Sequence, residues 1–549
     1  MSTPTEERRD EREGEFREVR DVGRGGTYRT LDEQSQEGRL SPAEERFERR
    51  RRTIGLFLGP LAFAAVLLAP LGLDPNQHRL AAILALVVVW WVTEAIPIPV
   101  TALLGVALVA LLEATPPPPE GDAATDVVFS AFADDTVFLF IGSFIIAEAM
   151  LVHGLHRRLA YRVLAMKAVG GSTFRIILAF GLIGAVTSPV MSNTAAAAMM
   201  LPIALGVMGV VGGMVTSQLD GERNVERLRF GAALMLVITY GITVGGLLLP
   251  IGSPPNLIGR ELLEAETGEP ITFLEWFVMA LPIVVVMFIA VVLIVTLMNK
   301  PEVRHVDGVE EYVAEERSKL GPLSRGEKNT LIVLAFALVG WFLPGLVGLF
   351  AGDDSDAYVQ VGEAANEGIV ALVAAALLFL LPIDWKQRRF TLNWNQAARI
   401  DWGTILLFGG GIVLGAMLSE TGLAEEIGTS ISDALGVSSI FGITVVIVII
   451  AVLISETTSN TASAAIVVPI AISIATAADL NPTIPALAAI FGANYGFMLP
   501  VSTPPNAIVY SSGLLPITRM LKAGIVFDIL GAVLCIVGVI VMANLVGLA

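Results

Sequence analysis

Seven long apolar runs punctuate the chain, at 53–71, 79–98, 176–191, 277–298, 328–350, 438–454 and 523–549. Each approaches the ~20 residues a helix needs to cross the hydrocarbon core of a bilayer. Two further apolar stretches, 136–152 and 402–418, have a different character. Each starts at an acidic residue and runs through glycines, and Gly409-Gly410-Gly411 stands in the middle of the second. A glycine triplet weakens a straight span, so these segments read as re-entrant helical hairpins over 135–155 and 401–420. The pattern predicts an all-α polytopic membrane protein with about 11 transmembrane helices plus two hairpins.

The polar positions repeat. MSNTAAAAMMLPIA (191–204) and TSNTASAAIVVPIA (458–471) match at nine of 14 positions, at an offset of 267 residues. The same offset lays Asp134 on Asp401, Gly142 on Gly409 and Ala149-Met150-Leu151 on Ala416-Met417-Leu418. Further on, IGSPPNLI (251–258) pairs with VSTPPNAI (501–508) at an offset of 250, shortened by SQLDGERNVERLR (217–229), which only the first half carries. The first half is thus 53–298, with Ser-Asn-Thr at 192–194 and Pro-Pro-Asn at 254–256. A charged connector over 299–328 is expected in the cytoplasm. The second half is 329–549, with Ser-Asn-Thr at 459–461 and Pro-Pro-Asn at 504–506. Its acidic insert at 351–367 would face the opposite side.

A backbone break at membrane depth survives only when it is buried in protein or lines a watery cavity. Ser, Asn and Thr compete with helical hydrogen bonding and favour caps. Each Ser-Asn-Thr precedes an alanine-rich, helix-favouring segment, so each reads as the cap of a half-helix. The N-terminus of such a half-helix suits an anion, and the carbonyls of the half-helix before it suit a cation. Broken helices at matching places of two repeats are the sequence pointer to a transporter's binding site. Hydroxyl, amide and carbonyl oxygens are hard donors suited to Na⁺, and proline in each Pro-Pro-Asn loop removes a competing N–H. No Lys or Arg stands in either motif, so the charge of a dianion would have to be offset by bound cations and helix dipoles. Glu456, beside the second motif, is a candidate for ligating a cation, relaying protons or anchoring structure.

Composition agrees with a membrane protein: 54% hydrophobic and only 16% charged residues, with a net charge of −17. The first 52 residues hold 14 acidic and 13 basic side chains and almost no large apolar ones, which predicts a disordered tail. It ends ERFERRRR (45–52), and that cluster places the N-terminus in the cytoplasm. A topology anchor fits better than a lipid- or nucleic-acid-binding role, and no nucleic-acid partner is expected. A single cysteine, Cys535, excludes an intrachain disulfide framework. His78, His153, His156 and His305 lack metal-ligand spacing and read as structural or interfacial.

These motifs, together with WWVTEAIPIPVTALLG (90–105), resemble the divalent anion:sodium symporter family of dicarboxylate and citrate transporters. The resemblance extends over 53–549. It implies an inverted repeat, scaffold and transport domains, and a homodimer working by an elevator movement in the cytoplasmic membrane, with no cofactor beyond Na⁺ as coupling ion. It places one sodium site at Ser188, Ser192, Asn193 and the backbone around Gly252. A second would involve Ser455, Thr458, Asn460 and the backbone near Ser502. Substrate carboxylates would meet Ser192, Asn193 and Thr194 on one side and Ser459, Asn460 and Thr461 on the other, with Ser253 and Thr503 closing over them. Thr458 is bulkier than the family's small residue, so a main-chain ligand is what would survive there.

The expected activity is sodium-coupled symport of C4-dicarboxylates such as succinate, malate and fumarate. The alternatives are a dicarboxylate exchanger of the same family and a sulfate or other divalent-anion symporter. An intramembrane enzyme is disfavoured, because no H-E-x-x-H, G-x-S-x-G or Walker loop occurs. An aspartyl dyad of Asp135 and Asp401 would sit at segment edges.

Overall fold

The computed structural model describes residues 42–116, 123–130, 132, 134–218, 228–352, 354–435 and 439–548. Eleven helices among them are long and apolar enough to cross a membrane, or 12 if one bent pair counts as a span. The chain is an all-helical multi-pass membrane protein, apart from a two-residue-by-three-residue hairpin of Pro382–Asp384 with Arg389–Phe390.

Three helices open the fold: α1 (Pro42–Leu68), α2 (Pro75–Thr93) and α3 (Ile98–Leu111). The first repeat follows as α4 (Asp135–His153), α5 (Leu155–Leu164), α6 (Thr173–Thr187), α7 (Asn193–Gln218), α8 (Arg229–Gly245), α9 (Pro254–Thr267) and α10 (Phe273–Met298). The middle of the chain forms α11 (Val309–Lys319), α12 (Arg325–Ala351), α13 (Asp356–Ala364) and α14 (Glu367–Leu380). The second repeat comprises α15 (Trp402–Glu420), α16 (Leu423–Leu435), α17 (Ile440–Thr457), α18 (Asn460–Ala477), α19 (Thr483–Ala493), α20 (Pro504–Tyr510) and α21 (Ile517–Val546). Each of α4 to α10 has its counterpart in α15 to α21, in the same order. The prolines inside α7 and α18, Pro202 and Pro469, also match at the 267-residue offset.

Helix α8 is the centre of the fold. Every residue from Phe230 to Gly245 is buried, as expected of a helix that is apolar on all sides. By contrast α1, α10, α12 and α21 carry large exposed apolar side chains, among them Phe57, Leu293, Phe350 and Ile529. At membrane depth such an apolar rim faces lipid at no cost.

At the hairpins expected over 135–155 and 401–420, a long helix is followed across a left-handed glycine, Gly154 or Gly422, by a shorter one, α5 or α16. The long helix of each, α4 or α15, has 19 residues. The glycines within α4 and α15 permit close helix packing. A Cβ at Gly142 would lie 2.5 Å from the backbone carbonyl of Ala371 in α14, and one at Gly410 would lie 2.8 Å from Ala102 in α3. The matched acidic residues are caps. Asp134 Oδ1 accepts from Thr136 N at 2.8 Å, and Asp401 Oδ1 accepts from Thr404 N at 3.2 Å. Asp135 accepts from Asn366 Nδ2 and forms no dyad with Asp401. Further chain breaks fall at the two Ser-Asn-Thr and the two Pro-Pro-Asn motifs.

The tail prediction also needs correction. Residues 42–52 belong to α1, and 1–41 lie outside the described residues. The loop over 217–229 is outside them for 219–227. The connector at 299–328 contains α11, and in the acidic insert α13 meets α14 at a 43° bend. His78 and His153 meet the main-chain carbonyls of Val66 and Thr391, both at 2.7 Å, and His156 meets that of Met150 at 3.2 Å. Among the described residues no group of three potential metal-binding side chains occurs.

Candidate functional site

Two cups of oxygen atoms form where α6 breaks into α7 and α17 breaks into α18. In the first, Ser188 ends α6 and Asn193 begins α7, and the Ser188 hydroxyl hydrogen-bonds Asn193 Oδ1. The loop after α8 closes over them. A point one methyl group from Gly246 Cα lies 3.0 Å from Asn193 Oδ1 and 3.1 Å from both Gly252 O and Ser188 Oγ. Three hard oxygens thus converge beside a residue that has no side chain. Only glycine leaves that space open.

The second cup repeats this plan with differences. Ser455 Oγ lies 2.8 Å from Asn460 Oδ1 and 2.7 Å from Ala493 O. The point beside Gly496, which matches Gly246, lies 3.0 Å from Asn460 Oδ1. There, however, it meets Ser502 Cβ and Thr503 Cγ2, each at 3.1 Å. The Thr458 hydroxyl turns back to Ile454 O at 2.8 Å. Ser502 Oγ points away from the cup, to the Glu456 main-chain carbonyl at 2.9 Å and to Glu456 Oε2 at 2.8 Å.

The capping prediction holds in both copies. Ser192 Oγ accepts from Ala195 N and Ser459 Oγ accepts from Ala462 N, each at 3.2 Å. Ser192 therefore serves as a cap, with its hydroxyl committed to the first turn of α7. Ser192, Asn193 and Thr194 are half-buried, and so are Ser459, Asn460 and Thr461. Both triplets open toward accessible space while Ser188, Ser455, Gly252, Ser253, Ser502 and Thr503 lie buried behind them. The first turns of α7 and α18 supply amides that have no partner within the helix. Thr503 Oγ1 accepts from Asn506 N at 3.3 Å, as the cap of α20.

The asparagine of each Pro-Pro-Asn loop shapes its cup. Asn256 Nδ2 donates to Gly246 O at 2.9 Å and to Leu249 O at 3.0 Å. Asn506 Nδ2 donates to Gly496 O at 2.6 Å and to Leu499 O at 2.9 Å. Both acceptor pairs correspond at the 250-residue offset. One amide therefore pins two carbonyls in each unwound stretch, which would otherwise be costly orphans.

Asn494, at the end of α19, connects the two halves. Its Oδ1 accepts from Ser253 Oγ at 2.6 Å, and its Nδ2 donates to Asn256 Oδ1 at 3.0 Å. Its main-chain carbonyl accepts from Asn460 Nδ2 at 3.2 Å. Sequence reasoning missed this residue. The signal was available: at the 250-residue offset Asn494 stands opposite Val244, a polar residue where the other repeat has an apolar one.

Two ion-pair groups brace the region. Arg260 of α9, just past the first Pro-Pro-Asn, pairs bidentately with Glu367 of α14, both bonds at 2.9 Å, and with Glu264 at 2.7 Å. Bidentate geometry at a buried site fixes α9 against α14. At the start of α1, Arg51 and Arg52 each lie 3.3 Å from Glu94, within WWVTEAIPIPVTALLG, and Arg51 Nη2 lies 2.8 Å from Glu48. Arg51 Nη1 also donates to Thr457 O at 3.0 Å, one residue before Thr458. The basic cluster thus reaches the second break.

A multi-pass helical membrane protein with paired, broken helices facing two oxygen cups has the architecture of a secondary transporter. Residues 52–548 match the family described as the sodium:sulfate symporter transmembrane region, and the chain belongs to that family, the divalent anion:sodium symporters. The sodium-dependent dicarboxylate transporter SdcS of Staphylococcus saprophyticus is 33% identical over 488 residues, covering 88% of this chain and 90% of that one. SdcS of Staphylococcus aureus is 32% identical over 497 residues, covering 88% and 89%. Among solved structures, MtrF of Neisseria gonorrhoeae aligns with a TM-score of 0.51 at 14% identity, covering 82% of this chain and 96% of that one. At that identity the likeness is to the fold alone.

Proposed function

We propose that this protein carries out sodium-coupled symport of C4-dicarboxylates, with succinate, malate and fumarate as substrates, across the cytoplasmic membrane. The observation that carries this reading is the convergence of Asn193 Oδ1, Gly252 O and Ser188 Oγ beside Gly246. Neutral, hard oxygens suit a small hard cation rather than a soft metal. The names of the SdcS relatives support sodium and a dicarboxylate.

On this reading the first cup holds Na⁺ at Ser188, Asn193 and the Gly252 carbonyl, with Ser192 ordering the turn. The second holds Na⁺ at Ser455, Asn460 and the main chain near Thr458 and Ser502. One substrate carboxylate meets Ser192, Asn193 and Thr194, and the other meets Ser459, Asn460 and Thr461, each at the positive end of a half-helix. Ser253 and Thr503 back these motifs from the loops. Neither triplet contains a cationic side chain, so the bound ions supply the positive charge that a dianion needs. That requirement couples the two fluxes. The N-terminus lies in the cytoplasm, and the protein works as a homodimer in which a transport domain moves against a scaffold domain.

The test is uptake into substrate-free proteoliposomes, with and without a sodium gradient, for succinate, citrate, sulfate and glutamate. Sodium-driven succinate uptake is expected, lost in Asn193→Ala and Asn460→Ala while both variants still insert. Uptake that requires internal substrate would identify an exchanger, and sulfate uptake exceeding succinate would overturn the substrate assignment.

A further inference from the structure

Between α14 and α15 the chain runs through PIDWKQRRFTLNWNQAARIDW (382–402), a segment that neither cup uses. Three of the seven tryptophans lie in it, and all three are exposed: Trp385 at 71%, Trp394 at 66% and Trp402 at 43%. Trp91, Trp276 and Trp341, by contrast, are buried in the core. Four basic side chains accompany the exposed indoles: Lys386, Arg388, Arg389 and Arg399, all exposed too. Among the described residues none of these four forms an ion pair. Carboxylates are not scarce, since the chain carries 52 acidic side chains against 35 basic ones. The two in this segment serve the main chain instead. Asp384 Oδ1 accepts from Lys386 N at 2.9 Å and from Gln387 N at 3.2 Å, and Asp401 caps α15.

The segment is a braced arm with an open tip. Asn329 Nδ2 of α12 donates to Thr391 Oγ1 at 2.8 Å and to Pro382 O at 3.3 Å, and Arg325 Nη1 donates to Ile383 O at 3.4 Å. His153, the last residue of α4, meets Thr391 O at 2.7 Å. At the tip, Trp385 rests edge-on against Phe390, with ring centroids 6.3 Å apart. Arg388 closes the turn at a φ of 49°, in the left-handed region that glycine adopts at less cost. A charged side chain thus stands where the backbone favours none, which points to a use for the charge. The arm lies where α14 ends, at exposed Leu380, and where α12 and α15 begin. Exposed Leu331 and Ile332 of α12 bring the lipid-facing apolar rim close to it.

We propose that Lys386, Arg388, Arg389 and Arg399, flanked by the three indoles, form a docking surface for the phosphate headgroups of anionic phospholipids. Indole rings favour the headgroup level of a bilayer, and guanidinium groups match phosphate oxygens in pairs. A bilayer interface supplies apolar contact for the indoles and anions for the bases in one place. The connector over 299–328 leads directly into α12, so the leaflet is the one on the connector's side, which the sequence reading assigns to the cytoplasm.

The test places a dye at the tip of the full-length protein. Cys535 is buried, so Gln387→Cys supplies one exposed thiol for an environment-sensitive label. In phosphatidylcholine nanodiscs, adding phosphatidylglycerol is expected to lower acrylamide quenching of the label by about twofold, with recovery in high salt. Replacing Lys386, Arg388, Arg389 and Arg399 by Gln is expected to abolish that response. Equal quenching in the two lipids overturns the surface, and so does a response that survives all four substitutions. A response lost when residues 2–45 are deleted makes the tail the occupant and overturns the lipid assignment. Protection by inorganic phosphate in discs of phosphatidylcholine alone marks a free-anion site and overturns it as well. Arg388→Gln with Arg389→Gln, expected to halve the response, serves where the fourfold variant does not fold. If neither folds, the labelled parent decides by its response to phosphatidylglycerol and salt. No step of this test reads transport, so its outcome is independent of the proposed function.

Discussion

Ser253 and Asn494 are 241 residues apart in sequence, and their side chains share a 2.6 Å hydrogen bond. Ser253 follows Gly252, whose carbonyl faces the first cup. The Asn494 carbonyl in turn holds Asn460 of the second cup. The two repeats therefore meet through buried hydrogen bonds, not merely through packed apolar faces.

Replacing Asn494 with Ala should be costly. It strands the Ser253 hydroxyl and the Asn256 amide oxygen in the interior, at roughly 1–3 kcal/mol for each unsatisfied group. The expected result is a lower melting temperature together with lost uptake. Wild-type uptake by Asn494→Ala would show that the bridge is dispensable.

Gly246→Ala places a methyl group among three oxygens at 3.0–3.1 Å. Sodium half-saturation should rise by about tenfold or more, equivalent to ~1.4 kcal/mol of binding. Gly496→Ala should have a similar direction of effect, with added strain against Thr503. Sodium titrations of uptake provide the measurement, and an unshifted half-saturation for Gly246→Ala would remove the cation from the first cup.

Burial pushes the His156 imidazole down to about 4 from an ordinary 6.5, with Arg157 adding to the effect. As pH falls below about 6.5 the unfolded chain takes up this proton before the native one does, so stability is lost between about 6.5 and about 4. The loss at pH 5 should be on the order of 1–2 kcal/mol. Thermal melts from pH 7.5 to 5 should fall more steeply for wild type than for His156→Gln, and parallel curves would exclude His156 as the cause.

Deleting residues 2–45 while keeping Glu48 and Arg49–Arg52 should leave uptake unchanged, because the contacts to Glu94 and Thr457 come from Arg51 and Arg52. Lost activity in a correctly inserted truncation would reveal a role for the deleted segment.

Much of this architecture was legible in the residues. Ser192 and Ser459 cap the helices that their alanine-rich followers announce, and the repeat offsets locate both loops. The reading was incomplete where one residue type serves two ends. Gly409-Gly410-Gly411 is compatible with a turn or with close packing, and only the neighbours, Phe132 and Ala102, decide between them. Asp134 and Asp401 had the same ambiguity between edge and cap. Asn494 lay hidden because two of its side-chain partners, Ser253 and Asn256, are more than 200 residues away and its own repeat mate is a valine. Glu456 proved to be an acceptor for main-chain amides, a role that depends on where Phe497 and Met498 fall in space.

The arginines in the first turns of α1 would ordinarily be counted as a charge signal for membrane orientation. Arg51, however, is engaged in a tertiary contact with the Thr457 carbonyl. Neutralising it therefore perturbs two things at once, the sidedness of insertion and the seating of the second break. Experiments that flip or titrate the orientation of this protein should vary Arg50 and leave Arg51 in place, so that a change in topology is not mistaken for a damaged site.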